Sequence, residues 1–159
     1  VTEFRAACVG WLPAEKLAVV DAVLESREPP AGAASAWWDG EVQLCDAIVR
    51  VRAKNRNVDA ARYLKPHDGF SATIDKMVVD AFARPDPLEQ EMELDRARWS
   101  LVDELALFEP FGFLTVLAFA VKVRIAARWD AMDEKVGQEK VGTLIEQITS
   151  LENEQEVES

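Results

Sequence analysis

Apolar positions along this chain recur with helical spacing, and no segment shows the strict alternation of a half-buried strand, so the elements predicted are helices throughout. Pro13, at a first-turn position, opens a helix that runs to about Arg27 and is broken by Pro29-Pro30-Ala31-Gly32. A second helix spans about Asp39 to Arg56. Asp59 caps a short turn through Tyr63, which Lys65-Pro66-His67-Asp68-Gly69 stops. Ser71 caps the next helix, with Asp75 in its first turn and Pro85 closing it. The clearest start is Asp86-Pro87-Leu88-Glu89, which combines an N-cap, a first-position proline and an early acid. That helix continues to about Phe108 and stops at Glu109-Pro110. The next spans about Phe111 to Met132, and a last one begins near Asp133 and frays after Leu151. Short connections between long helices favour antiparallel neighbours, so the predicted fold is an all-α antiparallel bundle of about six helices without a sheet. A helical N-terminal segment over 1–34 precedes a bundle domain over 35–151, and 152–159 is expected to be a disordered tail. Because the chain opens at Val1 rather than Met, it is read as a trimmed piece whose N-terminal segment an upstream stretch could complete.

Helical wheels expose two charges in apolar surroundings. The helix after Asp39 gathers Val42, Leu44, Cys45, Ile48, Val49 and Val51 on one face, with Arg52 in its middle and Asp46, Arg50 and Lys54 pointing away. The helix after Pro87 buries Leu88, Met92, Trp99, Val102, Leu105 and Ala106, with Asp95 inside that stripe and Arg98 at its edge. A buried charge needs a partner. A pair between Arg52 and Asp95, with Arg98 joining, satisfies both; the alternative is that a side chain reaches water from the rim. The helix from Phe111 is apolar almost all round in its first half and is expected to be central, with Ile125, Trp129 and Met132 inward further on. Trp99 and Trp129 read as core aromatics. Adjacent Trp37 and Trp38 cannot share one helix face, so either one of them anchors a partner or the pair folds back onto the core.

Charge sharpens this picture. The formal net charge is -11, which argues against a general nucleic-acid binder, since phosphate needs a basic surface. Glu152, Glu154, Glu156 and Glu158 make the tail acidic, and residues 86–109 carry acids against only Arg96 and Arg98. Residues 48–65 run the other way, with Arg50, Arg52, Lys54, Arg56, Arg62 and Lys65 against Asp59. Such oppositely charged segments either pack together or meet different partners.

Enzyme chemistry finds little footing. His67 is the lone histidine, which leaves no paired-histidine metal motif, and neither a phosphate-cradling glycine loop nor a nucleophile elbow is present. Asp39, Glu41 and Asp46 lack a metal companion and read as a solvated face; Glu89, Glu91 and Glu93 suit the positive end of their helix. Cys8 and Cys45 have no metal-like spacing and read as reduced thiols. The longest apolar run, Phe111 to Val121, is too short to span a bilayer. No catalytic residue, metal or cofactor is therefore assigned, and the function expected is binding to other proteins.

One set of motifs gives that expectation a name. Asp46-Ala-Ile-Val-Arg-Val-Arg-Ala-Lys, then Tyr63-Leu64-Lys65-Pro66 and Gly69-Phe70-Ser71, resemble a segment of the C-type central-stalk protein of bacterial and archaeal V-type ATPases, the counterpart of the eukaryotic d-type one. Arg52-Ala53-Lys54 matches that family's triplet, and Asp46 stands where Asn is usual. Pro87-Leu88-Glu89, Leu94-Asp95-Arg96, Arg98-Trp99, Asp103-Glu104-Leu105, Phe111 through Leu117, and Ile125 with Arg128-Trp129 resemble a compact bacterial family of uncharacterised function encoded beside V-type ATPase genes. Together these cover roughly residues 41–140. The resemblance implies a non-catalytic central-stalk component that links the rotor shaft to the membrane ring during rotary proton or sodium transport. Its partners would be other V-type ATPase subunits, and its place cytoplasmic, against the inner membrane face. The C-type stalk protein itself is much longer and is built from three related helical pieces, and the first forty residues here match neither family. The surface expected to meet partners comprises Trp37, Trp38, Arg50, Lys54 and Arg56. The competing readings are a helical adaptor or assembly factor for a basic protein, and an enzyme of unrecognised type.

Overall fold

The structure, a computed structural model, describes residues 1–30, 34–133, 136–143 and 145–147, and among them it is helical with no strand. The elements in order are α1 (Thr2–Val9), α2 (Ala14–Leu24), α3 (Ser35–Arg56), a 3-10 turn (Ala61–Tyr63), α4 (Ala72–Phe82), α5 (Pro87–Leu107) and α6 (Phe113–Asp130). The chain divides into two compact units, Val1–Ile125 and Ala126–Ser159. In the second, residues 136–143 and 145–147 are helical, and Asp133 caps this stretch by accepting the Val136 N–H at 3.1 Å. The expected fraying point at Leu151 and the acidic tail at 152–159 lie outside the described residues.

Local chemistry accounts for most helix ends. At the start of α5, Asp86 Oδ1 accepts the Leu88 N–H at 2.9 Å, and Pro87 occupies the first turn, where it forfeits no bond. Asp59 Oδ1 accepts the Ala61 N–H in the same way. α3 ends at Asn57, whose left-handed φ of 54° lets the Val58 N–H reach back to the Ala53 carbonyl at 3.0 Å. The N-terminal side of α3 differs from expectation. It begins a turn earlier, at Ser35, and runs through Gly40, because burying Trp37 to 4% exposure outweighs the roughly 1 kcal/mol that a helical glycine costs. Ser71 precedes α4 but does not cap it through its side chain.

Leu44, Ala47 and Ile48 of α3, Ile74, Val78 and Ala81 of α4, and Leu94 and Ala97 of α5 form one buried cluster. The phase of α5 is therefore rotated from the one expected. Leu94, Asp95, Ala97 and Val102 are buried, whereas Leu88, Met92 and Trp99 are exposed; the Lys122 ammonium covers the Trp99 ring at 4.9 Å. On α3, Val42, Leu44 and Ile48 are buried as expected, but Cys45 is exposed, and Gln43 and Asp46 are buried.

α6 starts two residues later than expected. The Glu109 carboxylate accepts the Leu114 N–H at 3.1 Å, and Thr115 Oγ1 donates to the Glu109 and Pro110 carbonyls. Phe113, Leu117, Ala118, Ala120, Val121 and Ile125 are buried, while Phe111 is fully exposed. Within the first unit the helix touches α1, α2 and α5, the last through Lys122, which lies over the Trp99 ring and pairs with Asp103. Arg124 donates to the Val23 carbonyl at 3.1 Å, and Phe119 stacks at an angle on Phe4, 5.2 Å away. α1 itself has no strong sequence signal; its Arg5 binds Asp21 of α2 through two bonds of 2.7 and 2.8 Å. Of the residues expected inward at the end of α6, Ile125 is buried, Trp129 is half-buried under the Arg128 guanidinium, and Met132 is exposed.

Three side chains spaced along α3 hold the segment between the 3-10 turn and α4. Asp39 Oδ1 accepts the Asp68 N–H at 3.1 Å. Gln43 makes a reciprocal pair with the Ser71 backbone, donating to its carbonyl at 2.8 Å and accepting from its N–H at 3.0 Å. Both oxygens of Asp46 lie 3.2 Å from the Lys65 N–H. Residues 39, 43 and 46 lie on one helix face, so a loop that lacks regular structure is nonetheless bonded at three points. Asp46→Ala should lower stability by about 1–3 kcal/mol in urea denaturation, because it removes the buried carboxylate that holds the Lys65 amide. Asp39→Ala, nearer the surface, should cost less.

Candidate interaction surface

Arg98 is the central ionic group. Its Nε donates to Glu41 Oε1 on α3 at 3.0 Å, and its Nη1 donates to Asp95 Oδ1 one turn back on α5, also at 3.0 Å. All three side chains are largely withdrawn from water. Burial works against the charge on Arg98, but Glu41 and then Asp95 more than offset it, so its pKa is raised and it stays cationic. The expected pairing is thus corrected. Arg98, expected to join the pair, engages Asp95; Arg52 forms its ion pair with Glu91; and Glu41, which reads as a solvated acid, completes the group. Arg52 is 59% exposed; it reaches Glu91 at 3.5 Å and lies over the Phe82 ring. Its long stem carries the guanidinium from the rim of α3 to water. Asp46, expected to point away, is buried on the loop-facing side.

Cys45 lies beside this group, with Sγ 3.8 Å from Glu41 Oε1. Although Cys45 reaches the surface, the protein packed around it withdraws its thiol from water, and this burial first, then the Glu41 charge, push the thiol up; burial does the same for Cys8. A nucleophilic cysteine needs the opposite environment. Among the described residues no group of three His, Cys, Asp or Glu side chains is placed to hold a metal ion. His67 lies half-buried in the clamped loop.

The residues expected to meet partners divide. Arg50, Lys54 and Arg56 are all exposed along the C-terminal half of α3. Trp37 and Trp38 are not available as anchors. Trp37 is buried, Trp38 is half-buried, and their rings lie 5.8 Å apart. Both belong to α3 rather than to a loop, and it is Trp37 that packs into the core.

In their place the structure presents a groove of about 590 Å³ between the N-terminal half of α3, the loop 68–71 with Ile74 beyond it, and the C-terminal half of α5. Trp37, Ile74 and Val102 are its buried apolar wall, and the Glu41–Arg98 pair lies within it. Phe70 and Phe108 line it from two different walls and are 73% and 83% exposed. Leu107 and Phe111, on either side of the turn between α5 and α6, are also exposed. That turn is fixed by the Glu109 cap, and a side chain at Gly112 would collide with the Glu109 side chain that makes the cap. Sequence reasoning missed this surface. Its signal was present: Leu107 and Phe108 stand directly before the helix-ending Glu109-Pro110, and Phe111 directly after it.

A family model described as a protein of unknown function (DUF2764) matches residues 72–152, just over half of the chain. No curated protein and no solved structure shows a match.

The ionic group and the rim pair should separate cleanly on mutation. Arg98→Ala removes the guanidinium that Glu41 and Asp95 share and should cost about 3–5 kcal/mol in urea denaturation. Arg98→Lys should recover only part of that, since an ammonium lacks the fork that serves both acids. Arg52→Ala, at a solvent-screened pair, should cost at most about 1 kcal/mol.

Proposed function

We propose that this chain, which belongs to the DUF2764 family of proteins of unknown function, is a non-catalytic central-stalk component of a V-type ATPase, linking the rotor shaft to the membrane ring. The reading rests on the resemblance to the C-type stalk protein and on one geometric observation. Two of the separated motifs that carry the resemblance are bonded directly, Asp46 holding the amide of Lys65, and Gln43, just ahead of the first motif, holds the backbone of Ser71 in the third. Their spacing therefore has a structural cause, a loop laid back on its own helix. A socket between moving parts needs such a rigid helical frame more than it needs reactive groups.

The polar side chains near the groove also favour binding over catalysis. Gln43 and Asp39 are bonded to the loop backbone, and Glu41 and Arg98 to each other. A general acid or base needs a group poised to exchange a proton with substrate, whereas these groups hold the frame. No helix among the described residues is long and apolar enough to cross a membrane. In this reading the chain reaches the inner membrane face through its partners. Arg50, Lys54 and Arg56 form the face offered to them. A role as an adaptor or assembly factor for a basic protein is the second reading, and the acidic, aromatic-rimmed groove favours it.

Co-purification tests the stalk reading. A tagged chain expressed with the ATPase subunits of its own organism should bring down both shaft and ring proteins. Reversing Arg50, Lys54 and Arg56 together to Glu should weaken that association by about tenfold or more, with the melting temperature unchanged. Retention of these partners by the triple variant would remove this face, and failure of the parent chain to retain any would contradict the stalk role.

A further inference from the structure

The groove has an occupant of definable chemistry. Its lining carries Asp39, Glu41, Asp68 and Glu104 against one cation, Arg98. That cation is already shared between Glu41 and Asp95, so the groove as a whole is negative. Asp68 and Glu104 are exposed, on the loop and on α5, and Phe70 and Phe108 belong to the same two elements. Each of the two elements thus brings one acid and one ring to the groove.

Two large aromatic rings at the mouth of one groove, with further apolar surface at Leu107 and Phe111, leave more hydrophobic area in water than folding requires. The backbone beneath is fixed on all three sides: by the clamp on the loop, by the Glu41–Arg98 bridge and by the Glu109 cap. A pre-formed apolar groove with negative rims suits an amphipathic helix whose apolar face carries large anchors and whose flanks carry Lys or Arg. The chain's own acidic 152–159 segment has the wrong charge for it.

We propose that this groove docks a basic amphipathic helix of another protein, seating an apolar anchor against Trp37 and Val102 and its cationic flanks on Asp68 and Glu104. The site is independent of the stalk reading, since it stands on the groove's shape and charge alone, and it uses a different surface from Arg50, Lys54 and Arg56.

The test uses the full chain and a dye-labelled amphipathic peptide of Leu and Lys, about 14 residues long, beside a counterpart with every Lys replaced by Glu. Fluorescence anisotropy should show binding of the Lys peptide, weakened by salt, and no binding of the Glu peptide. Glu104→Lys and Phe108→Ser should each weaken binding by about tenfold. Glu15→Lys, an equal charge change on α2 outside the groove, should leave it within about twofold. In the unmodified chain, the Trp37 indole and Leu105 methyl resonances should shift on peptide addition, a readout that does not depend on any variant folding. Equal binding of both peptides, equal loss with Glu15→Lys, or unmoved Trp37 and Leu105 signals would each overturn the proposal. So would a dimer in sedimentation that Phe108→Ser dissociates, because the occupant would then be a second copy of this chain.

Discussion

Burying polar side chains along a helix is expensive unless each finds a partner, and α3 does this repeatedly. Gln43 and Asp46 turn inward to hold the backbone of the following loop, and Glu41 turns toward α5 to hold Arg98. These bonds fix what hydrophobic contact alone leaves loose. Leu44, Ile48, Val78 and Leu94 would tolerate small slides of one helix along another, whereas a forked guanidinium between Glu41 and Asp95 tolerates few. The register of α3 against α5 follows from that bridge. The position of the loop follows from the clamp, and the groove is the space left between them.

This arrangement places the aromatic rim. Phe70 lies between Asp68 and Ser71, both held by backbone bonds to α3, so its ring is presented from a fixed support. Phe108 stands at the end of α5, just before a turn that Glu109 and Thr115 close. Neither ring owes its exposure to a loosely attached segment. Rigid, exposed aromatic side chains lose little entropy on association, which is why such residues recur as binding anchors. The same polar groups that make the surface rigid are thereby engaged, which suits a protein that binds rather than one that transforms a substrate.

The helical architecture was legible because its signals are local. Asp86-Pro87 and Asp59 act within two residues of themselves, and the structure shows both caps. The ionic group was half legible. Asp95 in an apolar stripe demanded a cation, but the demand did not say which one. Arg52 and Arg98 were both in reach, and the choice turned on the phase of α5, which a mixed stripe of Leu, Met, Trp and Ala leaves open. Trp37 misled for a related reason. Adjacent tryptophans cannot share a face, yet a helix that starts earlier than its signals suggest can bury one ring and half-bury the other. The clamp was hidden most deeply, since Asp39 and Asp46 read as a solvated face and Gln43 carries no signal of its own until the loop is seen folded back over them.

The central claim is that α3 holds the loop through its side chains, and native-state hydrogen exchange measures this directly. The amide protons of Lys65 and Ser71 lie outside regular helix, yet donate to Asp46 and Gln43. The account predicts that both exchange slowly, with opening free energies close to those of core amides such as Leu94 and Val78. Exchange at both amides as fast as in an unstructured loop would contradict it, because the loop would then open independently of α3.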